Sequence, residues 1–265
     1  MPDWTPDYLS AGTLTAWYKA DSLSLNDGDG VSSWTDSSGN GNTASQGTSA
    51  RQPTFETNEL NSKPVIRYDG SNDILSDGDI ADLDVGTGDI WMASVFKSTD
   101  DGGAQFFFEK GNTTFALMTT AAGVLQARIG GTTNIPQQSA GNWSRTEFVI
   151  VTASRVSSSC NGFVNGSDMT TTGTTNSGSI SNSNVLDLGA SAVGGNPLTG
   201  DIAEVLVGGA TLDTNERQKI EGYLAHKYGL EANLPSDHPY KSAAPGYRVQ
   251  YGISSGLIDG GLVQA

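Results

Sequence analysis

Short runs of alternating apolar and polar residues recur along this chain, broken by polar turns, and each run predicts one β-strand. In the first, 14–19, Leu14, Ala16 and Tyr18 fall on one face. The NDGDG sequence at 26–30 is a strong turn. A run at 65–68 leads into a second turn, DGSND. The run at 90–97 is apolar on both faces, with Ile90, Met92 and Phe96 opposite Trp91, Ala93 and Val95. That pattern suits a central strand covered on both sides. Runs at 105–109, 115–119 and 124–129 follow at short spacings. In the last, Leu125, Ala127 and Ile129 point inward, and Gln126 and Arg128 outward. Residues 147–153 are again apolar on both faces, and 161–165 form a short hairpin arm ending in Asn-Gly. Ser, Thr, Gly and Asn fill most of 166–184, which reads as a long loop or exposed hairpin. Runs at 185–189 and 201–207 are the last strands.

Only after these does the period change. Ile220, Tyr223, Leu224 and Tyr228 draw one helical stripe. Asp213 or Thr214 supplies an N-cap, and Glu216 completes capping-box spacing from Asp213. Gly229 stands where a left-handed C-cap belongs, with apolar Leu230 after it. His226 and Lys227 lie near the negative end of the helix dipole. Gly222 inside the helix costs roughly 1 kcal/mol relative to Ala, so close packing against a sheet is expected there. Strands without intervening helices exclude a parallel α/β sheet and argue for two packed antiparallel sheets. The expected fold is therefore all-β, with one C-terminal helix as a structural plug. The sandwich is expected to span 1–243, and 244–265 to form a C-terminal arm or a last edge strand.

Composition agrees and narrows the partners. The chain has 265 residues, 34 of them Gly, and only 16% charged residues, which suits many short strands and tight turns. Its net charge of −15 argues against nucleic acid, whose phosphates need clustered Lys and Arg. The single Cys160 excludes an intrachain disulfide and is expected to be a small buried residue. No stretch approaches the ~18 apolar residues of a membrane span. The N-terminus lacks the basic and apolar segments of a signal peptide, so a soluble protein without a leader is expected.

The pieces LTAWYKAD, WTDSSGNGN, KPVIRYDGSND and GDIAEVLVGGATLDTNERQKIEGYLAHKYGL, followed by LPSDHPY, carry a resemblance. They look like the laminin-G-like branch of the concanavalin A-like lectin/glucanase superfamily, over about residues 10–243. The resemblance implies a jelly-roll β-sandwich that binds carbohydrate or protein partners. It also implies Ca²⁺ at loops on one sandwich edge.

Candidate chemistry is sparse. Asp36, Asn40 and Asn42 in DSSGNGN, with Asp69 and Asp73 in YDGSND, are oxygen ligands of the kind Ca²⁺ takes. The same residues also serve as turn formers. Trp34 and Trp143 are the better exposed candidates for stacking on sugar rings, although core packing explains any single Trp as well. Trp17 and Trp91 belong in the core. The glucanases of the superfamily carry E-x-D-x-x-E or E-x-D-x-E on one strand, and no such motif stands here. His226 and His238 have no nucleophile signature near them, and His238 precedes a proline in an expected surface segment. The chain is therefore expected to bind and not to catalyse. The leading expectation is a bacteriophage virion component, a capsid decoration or fibre protein docking on capsid or other virion proteins, self-associating as a homo-oligomer, with affinity for cell-surface glycans. The alternative is a carbohydrate-binding or adhesion module of a secreted bacterial protein, at the cell surface or outside it.

Overall fold

The alternation at 90–97 determines the layering. Ile90, Met92 and Phe96 enter one buried cluster, and Trp91, Ala93 and Val95 enter another on the opposite face. The computed structural model describes residues 4–10, 13–99, 103–111, 114–132, 135–171, 175–191 and 194–246. Its first strands are β1 (Ala16–Lys19), β2 (Ser33–Trp34), β3 (Ala44–Ser45), β4 (Thr54–Leu60), β5 (Lys63–Asp69) and β6 (Leu75–Ser76). Next come β7 (Ile90–Ser98), β8 (Gln105–Lys110), β9 (Phe115–Thr119), β10 (Leu125–Ile129), β11 (Pro136–Gln138) and β12 (Val149–Val156). The last are β13 (Ser159–Val164), β14 (Ser167–Asp168), β15 (Thr170–Thr171), β16 (Leu186–Leu188) and β17 (Thr199–Gly208), before the helix α1 (Thr214–Tyr228).

Among the described residues these strands make two antiparallel sheets, a β-sandwich. The first runs β14-β13-β12-β7-β17-β5-β4, with β1 following β5 along the same edge of β17. The second runs β15-β11-β10-β9-β8-β16-β6-β3-β2. Between them lies the larger core, which includes Trp34, Phe96, Phe107, Phe108, Phe115, Leu117, Leu188 and Ile202. The second core lies between the outer face of the first sheet and α1. There Trp17, Trp91, Val95 and Leu206 meet Ile220, Leu224 and Tyr228. Each such side chain contributes about 1.5–3 kcal/mol on burial, which outweighs the cost of Gly222 in the helix.

The ends of α1 are as the residues dictate. Asp213 accepts from the Glu216 amide at 2.8 Å, and Glu216 accepts from the Asp213 amide at 3.3 Å. Gly229 takes φ +68°, a left-handed conformation that glycine adopts without strain, and the Leu230 amide donates to the Ala225 carbonyl at 2.8 Å.

Several expectations are corrected. Gly222 gives room to Tyr240, not to the sheet: a Cβ at 222 would lie 2.4 Å from the Tyr240 Cβ. His238 is buried, not on the surface, because its Nε2 reaches Glu221 at 3.0 Å. The 166–184 region contains β14 and β15 and buries Ile180. Strand β4 has no apolar alternation to announce it, because TFETNEL is polar, and its pairing with β5 shifts register between Glu56 and Leu60. Past the expected boundary at 243, Pro245 is buried and its carbonyl accepts from the Trp4 amide. The expected arm lies from 247 onward outside the described residues. Among the described residues, no helix is long and apolar enough to cross a membrane.

Candidate functional site

The DSSGNGN turn is built as a clasp on the start of β1. Asp36 Oδ1 accepts from the Trp17 amide at 2.9 Å and the Ser38 amide at 2.8 Å. Its Oδ2 accepts from the Ser38 hydroxyl at 2.7 Å and the Asn42 amide at 3.1 Å. The Asn40 side-chain amide donates to the Leu14 and Thr15 carbonyls, and that of Asn42 to Thr15. These three residues thus hold the turn against β1, which is the turn-forming role. Asp69 and Asp73 belong to a separate hydrogen-bond network. Among the described residues, no group of three or more His, Cys, Asp or Glu is placed to hold a metal ion.

The expected exposure of Trp34 and Trp143 is corrected. Trp34 is 0% exposed in the inter-sheet core, tilted against Tyr18 at 5.8 Å. Trp143 is 8% exposed, edge-on to Phe96 at 6.4 Å, and its indole donates to the Gly123 carbonyl. Apolar burial claims both rings, so neither offers a flat face to a sugar.

A cleft of about 470 Å³ opens where residues 49–54 meet the ends of β5, β7 and β17. That volume is in the range of small-molecule sites. Arg67, Asp201 and Lys97 are register partners across three adjacent strands. They face outward because their neighbours Ile66, Ile202 and Phe96 fill the core. Buried Asp201 accepts from Arg67 at 2.8 and 3.0 Å and from Lys97 at 2.9 Å. Arg67 also reaches Glu59 at 3.1 Å and Glu56 at 3.4 Å. Both cations are therefore neutralised within the protein.

The rest of the cleft comes from the YDGSND turn, so Asp69 and Asp73 do come together. Asp69 Oδ1 accepts from the Ser71 amide, and Asp73 Oδ2 from the Asp69 amide at 2.9 Å. Asp73 is 5% exposed. Burial, with the adjacent Asp69 carboxylate adding to it, pushes Asp73 up to about 6, against the pull of the Asp69 amide. Tyr68 also lines the cleft. Burial first, then the Asp73 carboxylate, holds its phenol well above the usual range. Gln52, Thr54, Thr99 and Thr199 complete an array of donors and acceptors.

A second acidic feature lies on the outer face of the second sheet. Ser76, Asp187, Glu109, Ala116 and Arg128 are successive register partners across β6, β16, β8, β9 and β10. Asp187 and Glu109 are each 2% exposed and directly opposite one another. Like charges in that position are destabilising. Burial, then Glu109, pushes Asp187 up to about 6, while the Ser76 hydroxyl and Arg51 act in the other direction. A scan for acidic motifs along one strand misses this pair, because its members are brought together by strand pairing.

The polar groups beneath α1 hold the fold. Glu221 accepts from Thr152 at 2.6 Å, from Arg217 and from His238. Glu204 accepts from the Trp17 indole at 2.5 Å, Lys227 at 2.7 Å and Tyr228 at 2.8 Å. His226 contacts the Tyr240 carbonyl at 2.8 Å. Helix-dipole placement alone does not account for these residues.

No family model matches the sequence, and no curated protein matches it. Solved structures do. Trypanosoma rangeli sialidase is similar over 82% of this chain and 33% of its own, at 12% identity and a TM-score of 0.56. The same enzyme with difluorosialic acid, described as a covalent intermediate, gives 0.57. Domain 4 of AbnA, a GH43 extracellular arabinanase from Geobacillus stearothermophilus in complex with arabinotriose, is similar over 77% of this chain and 96% of its own, at 16% identity and a TM-score of 0.50. The chain spans about a third of the length of the sialidases it matches. These similarities, at such identities, show the fold alone, a two-sheet β-sandwich. They also correct the expectation that the chain is no enzyme: sialidases are enzymes, so this fold gives that exclusion no basis.

Proposed function

We propose that the chain is a carbohydrate-binding domain that takes a neutral oligosaccharide into the cleft at the ends of β5, β7 and β17. The cleft itself carries the reading. Its lining has two cationic residues, Arg67 and Lys97, and three acidic ones, Asp69, Asp73 and Asp201. It therefore offers many hydrogen-bonding groups without the positive excess that an anionic sugar would need. Hydroxyl-rich ligands match such an array, each neutral hydrogen bond contributing about 0.5–1.5 kcal/mol net. The fold supports the same class, since a domain similar over 96% of its length was solved with arabinotriose. The laminin-G-like assignment within these sandwiches belongs to this proposal and rests on the sequence pieces quoted above. This reading is preferred to the virion component because the similar solved structures belong to carbohydrate-active proteins. A secreted or cell-surface setting follows from it.

The test is calorimetric titration of the full chain with arabinotriose, xylotriose and lactose. Binding of at least one is expected, and Ala50→Trp should abolish it, because Ala50 is exposed on the cleft lining and makes none of its hydrogen bonds. Failure of all three to bind at millimolar concentration, or binding unaffected by Ala50→Trp, overturns the assignment.

A further inference from the structure

We propose that Asp201 is a positioning residue that makes this cleft selective for neutral sugars. It holds Arg67 and Lys97 side by side as hydrogen-bond donors, and it cancels the charge with which they would draw in acidic sugars. The inference rests on the carbohydrate reading of the cleft and adds the residue that sets which sugars enter.

The three residues are register partners on β5, β17 and β7, with Asp201 in the middle. The Asp201 side chain is 1% exposed, whereas those of Arg67 and Lys97 are 37% and 19% exposed. A ligand therefore meets the two cations and not the carboxylate, and Asp201 acts through them. Its Oδ1 accepts from Arg67 Nε at 2.8 Å. Its Oδ2 accepts from both Arg67 Nη2 at 3.0 Å and Lys97 Nζ at 2.9 Å. One oxygen thus draws the two cations to a single point.

Burial alone does not call for this arrangement. The two-point contact with Arg67 already satisfies a buried carboxylate, so Lys97 is a second cation beyond that need. Its ammonium is fixed further by the Phe148 ring, whose centroid lies 4.7 Å away. A long side chain held in this way loses its rotamer freedom on folding and not on binding, which favours the ligand. Neither cation is used up: an ammonium has three donors and a guanidinium five. Glu56 and Glu59 take further Arg67 contacts at 3.4 and 3.1 Å. Three carboxylates thus surround two cations. A neutral hydroxyl can still accept from the remaining N–H groups. A uronate carboxylate would meet cations already neutralised, with like charges behind them.

Asn at 201 keeps the shape and an acceptor oxygen but removes the charge. Lys97 then loses the one carboxylate it pairs with among the described residues and is free to pair with a ligand's.

The experiment is calorimetric titration of the full chain with arabinotriose and with trigalacturonate at low salt. It compares the unmodified protein, Asp201→Asn, Lys97→Met and the double variant, with circular dichroism melts to confirm folding. The unmodified protein should bind arabinotriose and not trigalacturonate. Asp201→Asn should bind arabinotriose about tenfold more weakly, the worth of one well-placed bond from a charged donor. It should also gain affinity for trigalacturonate, which high salt removes. Adding Lys97→Met to Asp201→Asn should abolish that gain. If Asp201→Asn fails to fold, Lys97→Met alone decides, since it leaves Asp201 paired with Arg67. It should weaken arabinotriose about tenfold, and unchanged affinity overturns the inference. A merely structural Asp201 would lose stability or arabinotriose affinity with no gain for the acid, and that result also overturns it. So does trigalacturonate binding by the unmodified protein. Each of these leaves arabinotriose binding by the unmodified protein, and with it the carbohydrate reading, in place. Absence of binding to arabinotriose, xylotriose and lactose by the unmodified protein overturns both.

Discussion

Asp187→Asn should stabilise the protein at neutral pH while touching nothing in the core. Asp187 faces Glu109 across β16 and β8, and both are almost fully buried. Burial and Glu109 raise Asp187 to about 6 from the ordinary aspartate value of 3.8. Between these two values the folded protein holds a proton that the unfolded chain has lost. Stability therefore falls as pH rises through this window, by 1.36 kcal/mol per pH unit for one group. The shift corresponds to about 3 kcal/mol, and solvent penetration at the sheet face reduces this to ~1–3 kcal/mol. The asparagine keeps an oxygen for the Ser76 hydroxyl, which now donates to Asp187 Oδ1. It removes the like-charge contact. A gain of that size raises Tm by roughly 2–4 °C per kcal/mol in a chain of this length. The assay is urea unfolding followed by tryptophan fluorescence at pH 4, 6 and 7.5. Asp187→Asn should exceed the unmodified protein by ~1–3 kcal/mol at pH 7.5, with the difference shrinking toward zero at pH 4. A gain that is the same at all three pH values, or no gain at pH 7.5, would refute the electrostatic account.

Other perturbations probe the remaining features. Asp36→Ala leaves the Trp17, Ser38 and Asn42 amides without their acceptor and should cost ~1–3 kcal/mol in chemical denaturation. By the same argument EDTA should leave Tm unchanged, since an ion held at 100 times its Kd would add about 2.7 kcal/mol; a fall of several degrees would show a cation that the clasp does not explain. Glu221→Ala strands Arg217, Thr152 and His238 beneath the helix and should cost about 3–5 kcal/mol, read from urea midpoints. Gly222→Ala gains ~1 kcal/mol of helix propensity, yet it should destabilise, because the new Cβ meets Tyr240. Tyr240→Gly in the same chain should recover the propensity gain, and a stabilising single substitution would show that the 235–241 segment yields easily.

The helix was the most legible part of this sequence because its signals are local. Asp213, Glu216 and Gly229 act within a turn or two of where they stand, and all three occupy the expected cap positions. The two-faced pattern of β7 was equally direct, since alternate residues must enter opposite layers. Features made by distant residues were hidden. His238 looked solvated because its partner, Glu221, lies on a different element. Trp34 and Trp143 stand among polar neighbours in sequence, but the sheets close over them. The YDGSND turn supplied Asp69 and Asp73 as candidate ligands for a cation, and the structure places them beside Arg67, Lys97 and Asp201 in a cleft that no short motif describes. Asp187 and Glu109 became neighbours only through strand pairing. The short strands β2, β3 and β6 span two residues each, too few to show a period.

The position of β17 has a consequence for synthesis. This strand bonds to β1, β5 and β7, so it joins the parts of the first sheet, yet it lies in the last third of the chain. About 140 residues separate the end of β5 from the end of β17. At ~5–20 residues per second, a ribosome needs roughly 7–30 s to deliver them. Throughout that interval β1 and β5 have emerged without their partner, exposing backbone edges and the apolar faces of Trp17, Val65 and Ile66. A nascent chain stopped before 199 would therefore carry unpaired strands in place of a smaller sandwich, and would depend on chaperones or rapid completion to avoid aggregation.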